Sequence, residues 1–342
     1  MKYPRTSRLG LLAAAAFATA ALPGTAGAQA LTPIDVVLIG GQSNAQGVKT
    51  QNWRIDENGP DAYARFPQED IQFFFSYGNR DGEDRLVGWD ALRPGSSSPT
   101  SFSGFGAELS LGRNIKDAQG TGGNLGIIKS TLGASSLHTD WSPTGWSPDD
   151  PVGQNGTVLN RETRQVIRAG TTGETYRRFL QATDAGLADL RDRGFAPTVT
   201  AMVWTHGETD TNQLSTALDY RDNLIAFLDD IRGRYNDDML GLIAQLPEAP
   251  EVNFTGQKQL SWDTVQQAQA DAAAADPLNY LVSTVGLQTY DDDLVHFNND
   301  GQLRLGERYA AAYNRGVSAI PEPATAAVLV LMSGAVLRRR TA

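Results

Sequence analysis

Five runs of branched aliphatic residues divide the chain. They are 34–40 (IDVVLIG), 125–131 (LGIIKST), 198–204 (TVTAMVW), 239–246 (MLGLIAQL) and 279–286 (NYLVSTVG). A strand with one wet face alternates apolar and polar residues. These runs are apolar at consecutive positions, which is the pattern of a parallel sheet covered on both faces. Longer amphipathic stretches lie between them, at 105–118, 174–193, 214–235, 261–275 and 300–316, and Ser261 is a fitting N-cap for the fourth. Alternation of strand and helix predicts an α/β fold: three layers, α/β/α, around a mostly parallel five-stranded sheet. Two long stretches without clear periodicity, 48–101 and 138–172, interrupt the pattern, and loops of that length usually carry function.

The ends of the chain are a separate matter. Residues 1–28 run from Lys2, Arg5 and Arg8 through an alanine-rich apolar stretch to Ala26–Ala28, the order of parts in a secretory signal peptide. Its apolar core is short for a membrane anchor. At the other end, Pro321-Glu322-Pro323 precedes fourteen apolar or small residues and then Arg338–Arg340. Fourteen residues are fewer than the roughly 20 that span a bilayer as a helix. This tail resembles a bacterial PEP-CTERM sorting signal. The resemblance implies processing by an exosortase-type sorting machinery and a location at the periplasm, cell surface or exterior. The expected organisation is therefore signal peptide 1–28, one main domain 31–318 and sorting tail 320–342.

Composition excludes several function classes. The formal charge is −10. Loss of residues 1–28 removes three positive charges and no negative ones, taking it to −13. Neither value suits a nucleic-acid binder, which needs a basic face. The absence of cysteine excludes disulfides and thiolate metal sites. Only His138, His206 and His296 are available as imidazoles, and none stands in H-x-x-x-H spacing, so a metal site has little to build on.

In an open α/β sheet, ligands bind at the carboxyl ends of the strands. Four of the five strand ends run straight into unusual polar or glycine-containing segments: GGQSNAQG (40–47), KSTLGASSLHTDW (129–141), WTHGETD (204–210) and DDDLVHFNNDGQ (291–302). The first contains Ser43. A serine nucleophile needs a base, and the base needs an orienting acid. His296 follows Asp293 by three residues, close enough for one turn to bring carboxylate to imidazole; the same pair also serves as an ordinary helix cap. At Gly133 a backbone N–H can approach a developing oxyanion without a side chain in the way.

Taken in order, GQSNAQG, TLGASSL, HGETD and DLVHFNNDGQLRLGERYA make the chain similar to the SGNH hydrolase superfamily, in its sialate O-acetylesterase and acetylxylan esterase branch. The pieces span roughly 34–316. The resemblance implies a flavodoxin-like sheet, Ser43 as nucleophile, His296 as general base and Asp293 as its orienting acid. It also implies an oxyanion hole from the backbone N–H groups of Ser43 and Gly133, completed by a side chain of the HGETD block. There the family commonly carries Gln, and this chain has His206. Gln42, Asn44, Glu208, Asp210 and Trp141 are candidates for substrate contact or loop bracing. Trp141 and Trp146 suit sugar rings as stacking faces, or burial as pins for a long loop. The implied activity is removal of O-acetyl groups from a polysaccharide or sialic-acid-like carbohydrate, with no cofactor.

Two other readings compete. Gly41–Ala45 approximates the G-x-S-x-G elbow of α/β-hydrolases. However, the serine follows the first strand, which leaves no upstream strand loop to supply an oxyanion hole, and Asp293 shares one loop with His296 where α/β-hydrolases usually use two. The other reading is a non-catalytic surface glycan-binding protein on the same fold, against which Ser43, Asp293 and His296 all being present weighs.

Overall fold

The computed structural model describes residues 30–78, 84–95, 104–143, 158–159, 166–168, 173–248 and 256–319. The expected signal peptide, the expected sorting tail and Trp146 lie outside the described residues, and the body from Thr32 onward carries the fold. In chain order its strands are β1 (Thr32–Gly41), β2 (Gln68–Gly78), β3 (Asp84–Leu92), β4 (Leu125–Thr131), β5 (Val158–Leu159), β6 (Val166–Arg168), β7 (Phe195–Thr205), β8 (Leu240–Ala244) and β9 (Asn279–Val282). Its helices are α1 (Ser43–Gln46), α2 (Glu108–Gln119), α3 (Glu174–Asp192), α4 (Leu214–Tyr235), α5 (Gln257–Ala274) and α6 (Asn299–Ala319).

The main sheet has seven strands in the order β3-β2-β4-β1-β7-β8-β9, with β5 and β6 forming a separate short pair. Every neighbouring pair in the main sheet is parallel except β2–β3. Five strands were expected; β2 and β3 come from the stretch read as irregular. In β2, Ile71, Phe73 and Phe75 face one core while Phe74 faces the other, but the preceding Gln-Glu-Asp and the Gly-rich surroundings conceal the run. The antiparallel edge strand β3 owes its conformation to its neighbour more than to its own residues.

Successive residues of β1 enter opposite cores. Val36 and Leu38 pack with Phe179 of α3, Leu224 of α4 and Val265 of α5; Val37 and Ile39 pack with Leu111 of α2 and Tyr309 of α6. That division accounts for the continuous apolar run, because neither face of the central strands meets water. Helix α4 buries Ala217, Tyr220, Leu224, Phe227, Leu228 and Ile231, an apolar stripe at helical spacing. Helix α5 starts at Gln257, so Ser261 is an interior, buried residue rather than the N-cap that its sequence position suggested. Among the described residues no helix is long and apolar enough to cross a membrane.

Candidate active site

Strand β1 ends at Gly41, where φ is +133°. A Cβ there would lie 2.2 Å from the carbonyl oxygen of Thr205, the last residue of the neighbouring β7. Only glycine lets the two strand ends stay this close while the chain swings out. The next residue, Gln42, donates its N–H to that same Thr205 carbonyl at 3.2 Å. Ser43 follows as the first residue of α1 and remains partly exposed at the carboxyl edge of the sheet.

The loop between β9 and α6 arrives at the same edge. His296 Nε2 lies 2.8 Å from Ser43 Oγ. His296 Nδ1 lies 2.9 Å from Asp293 Oδ2. Since a carboxylate only accepts, Nδ1 carries the proton and Nε2 is free to accept from the hydroxyl. Asp293 Oδ1 meanwhile accepts the backbone N–H groups of Val295 at 3.0 Å and His296 at 2.9 Å. Burial alone would raise the Asp293 carboxyl; the hydrogen bonds from Lys49, His296 and Val295 outweigh it and hold the group well below the usual carboxylate range. Lys49 Nζ sits 2.6 Å from Asp293 Oδ2, a contact to which no sequence motif pointed.

Asn44 joins three loops. Its Nδ2 donates to Glu208 Oε1 at 2.6 Å and to the Val295 carbonyl at 3.1 Å, and its Oδ1 accepts the Phe297 N–H at 2.9 Å. Val295 and Phe297 flank His296, so a single amide ties the serine turn to both sides of the imidazole. Glu208 also accepts from Gln42 Nε2, and Thr209 Oγ1 donates to Gln42 Oε1 at 2.9 Å. Gln42, Asn44 and Glu208 thus form a brace beneath Ser43. Burial pushes the Glu208 carboxyl up, while its amide donors act to lower it.

Gly133 comes from the turn after β4. A Cβ on it would stand 3.9 Å from Ser43 Cβ and 2.8 Å from Gln46 Oε1, so this turn passes directly beside the serine. Asp210 stiffens the turn from below, accepting from Ser136 Oγ at 2.7 Å, Leu137 N at 2.9 Å and His138 N at 3.2 Å. Burial raises its carboxyl to about 6. Asp210 is therefore a loop brace.

One expectation needs correction, and one open alternative is decided. His206 does not face the serine as a third oxyanion donor. It is 1 % exposed, and its ring is committed on both sides: Nε2 donates to the Ser135 carbonyl at 3.1 Å, and Nδ1 accepts from Tyr220 Oη at 3.3 Å. Burial drives its pKa down to about 3, so the ring is a neutral interior group. Trp141 presents no stacking face to a sugar. It is fully buried, packs edge-on against Trp204 with centroids 5.0 Å apart, and donates Nε1–H to Ser135 Oγ at 2.8 Å. His206 directly follows β7 and Trp141 lies in the loop after β4, and both side chains turn into the core because a ring gains more from burial there. Among the described residues no group of three His, Asp or Glu side chains is arranged to hold a metal ion.

An open α/β sheet with a hydroxyl, an imidazole and a carboxylate in hydrogen-bonded series on its carboxyl edge is the architecture of an ester hydrolase. The chain matches, over residues 33–315, the family described as carbohydrate esterase, sialic acid-specific acetylesterase, and it belongs to that family. It is a carboxylic ester hydrolase of carbohydrate-esterase type with an SGNH-like α/β fold. No curated protein sequence matches it. Among solved structures it is similar to a protein from Arabidopsis thaliana at 16 % identity, covering 83 % of this chain and 98 % of that one, with a TM-score of 0.58. It is similar to a carbohydrate acetylesterase from Xanthomonas citri at 19 % identity, covering 84 % and 57 %, TM-score 0.55. It is also similar to NanS, at 12 % identity, 85 % and 100 % coverage, TM-score 0.55. At these identities the structural likeness speaks for the fold.

Proposed function

We propose that the protein is an exported serine esterase that removes O-acetyl groups from a carbohydrate through an acyl-serine intermediate. The observation that carries this reading is the relay from Ser43 Oγ to His296 Nε2 at 2.8 Å and from His296 Nδ1 to Asp293 at 2.9 Å. In the first step His296 takes the hydroxyl proton as Ser43 Oγ attacks the acetyl carbonyl carbon. The C=O π electrons move onto oxygen, and the backbone N–H groups of Ser43 and Gly133 are the donors assigned to that oxyanion. Its collapse expels the sugar alcohol, which takes the proton from the imidazolium. Water then attacks the acetyl-serine with His296 again as base, releasing acetate and restoring the hydroxyl. Asp293 keeps the proton on Nδ1 and stabilises the imidazolium in both halves. A single oxyanion donor is worth about 3 kcal/mol of transition-state stabilisation, so two backbone donors give the hole useful strength without His206.

The substrate class rests on the family, and export rests on the composition of residues 1–28. The tail 320–342 fits recognition by an exosortase-type sorting machinery. The test is acetate release from a panel of acetylated polysaccharides and acetylated sialic acids, with Ser43→Ala alongside, together with labelling by a fluorophosphonate probe. Wild type should release acetate and take one label per chain, and Ser43→Ala should do neither while melting at an unchanged temperature. Turnover persisting in Ser43→Ala would move the nucleophile elsewhere.

A further inference from the structure

The Asp293 carboxylate has two acceptor positions on each oxygen, and all four are filled. Oδ1 takes two backbone N–H groups, and Oδ2 takes the imidazole and an ammonium. The ammonium belongs to Lys49, six residues after Ser43 on the turn that leaves α1. Its backbone lies in the left-handed region, with φ of +70°, a conformation uncommon for a residue with a long side chain. From there Nζ reaches Asp293 at 2.6 Å and both oxygens of Asp292 at 3.0 and 2.9 Å, and lies 5.4 Å from the centroid of the Tyr290 ring. The nucleophile's own turn therefore holds the acid of a loop some 244 residues away.

From this geometry we infer that Lys49 is a positioning residue of the acid–base pair, one that restrains Asp293 and offsets the negative charge around the imidazole of His296. The inference rests on the Ser43–His296–Asp293 reading above. The charged and titratable groups around that imidazole come from three segments. The β9–α6 loop supplies Asp293, Asp292 and Tyr290. The turn after α1 supplies Lys49. The turn after β7 supplies Glu208, whose carboxylate interacts with His296 through space. Among the described residues Lys49 is the cation hydrogen-bonded within this set, while through space Arg54 acts on Tyr290 and Lys258 of α5 acts on Glu208. Without the ammonium, Asp293 and Asp292 lose their bonded cation, and the negative charge of this loop acts on the base with less to offset it. That field favours the protonated imidazole, which cannot accept the serine proton.

The experiment is the pH profile of kcat/KM on p-nitrophenyl acetate for the full chain, comparing wild type with Lys49→Met, Lys49→Arg and Asp292→Asn. In Lys49→Met the acid limb should move up by roughly one pH unit. Lys49→Arg should return it toward wild type. Asp292→Asn removes a negative charge from an exposed position without cutting the chain's core, and should move the limb the other way. An acid limb that stays in place in both Lys49→Met and Asp292→Asn overturns the inference. So does a uniform fall in kcat in Lys49→Met without movement of the limb, since that is the mark of a purely structural contact. The two readings separate cleanly. If Ser43→Ala is inactive and the limbs do not move, Lys49 alone is wrongly assigned; if Ser43→Ala retains turnover, the catalytic assignment itself fails.

Discussion

Asn44→Ala tests the brace that holds the site together. Asn44 is 1 % exposed, and its side chain makes three hydrogen bonds, to Glu208, the Val295 carbonyl and the Phe297 N–H. Truncation leaves the Phe297 N–H buried without an acceptor and strips a donor from the buried Glu208 carboxylate. A buried group left unsatisfied costs about 1–3 kcal/mol, more when charged, whereas the part-buried Val295 carbonyl can regain water. The expected destabilisation is about 4 kcal/mol. For a domain of this size that corresponds to a Tm lower by about 8 °C. Activity should fall further than stability implies, because the same amide sets the distance between Ser43 and His296. A displacement of about 1 Å at a reacting pair costs on the order of 100-fold. Thermal denaturation followed by circular dichroism, with kcat/KM measured well below the Tm, reads both effects. A variant melting within 2 °C of wild type and retaining more than a third of its kcat/KM, both limits set from the estimates above, would refute the idea that this amide couples the two loops.

Further expectations concern the oxyanion turn and the buried histidine. Gly133→Ala places a methyl 2.8 Å from Gln46 Oε1, so Gln46 must move and the turn beside Ser43 is crowded; esterase activity should drop about tenfold or more while Tm changes little, the loss of one hole donor being the upper limit. His206 titrates near 6.5 when unfolded but is pushed down to about 3 in the fold, so the unfolded chain binds its proton first and stability is lost as pH falls from 6.5 toward 3. His206→Gln removes that dependence. The Tm gap between wild type and this variant should narrow on acidification, by about 3 kcal/mol equivalent at pH 4.5. Asp140, raised by burial, responds in the opposite sense in the two proteins alike and so drops out of the comparison, whereas Asp210, 3.8 Å from His206 Nδ1, contributes to the measured difference. A gap that stays constant from pH 7 to 4.5 would mean that the ring is hydrated in the folded state.

Patterning along the chain decided the order of strands and helices, because burial on both faces of a parallel sheet demands apolar residues at consecutive positions. It also marked the polar strand ends, since a covered sheet has its free space at the carboxyl edge. From spacing alone, Asp293 and His296 were a pair and Ser43 a lone hydroxyl at a strand end. What brought the three into one relay is the tertiary path: β1 and the β9–α6 loop meet at one edge although Ser43 and His296 stand 253 residues apart. The same limit hid β2 and β3, whose strand character depends on pairing, β2 with β4 and β3 with β2. It also hid the direction of the rings near the carboxyl edge. His206 was placed at the right edge but turns inward, and of the two readings open for Trp141 packing chose burial, because side-chain direction follows from which neighbours fill the space. Lys49 illustrates the point most sharply. In the sequence it is one cation on a loop, and only folding sets its ammonium on the carboxylate of Asp293. Local residue chemistry determines what elements form and where a site can open; long-range packing decides which groups share a hydrogen bond, because hydrogen bonds of about 3 Å are set by distances in space that one-dimensional spacing does not contain.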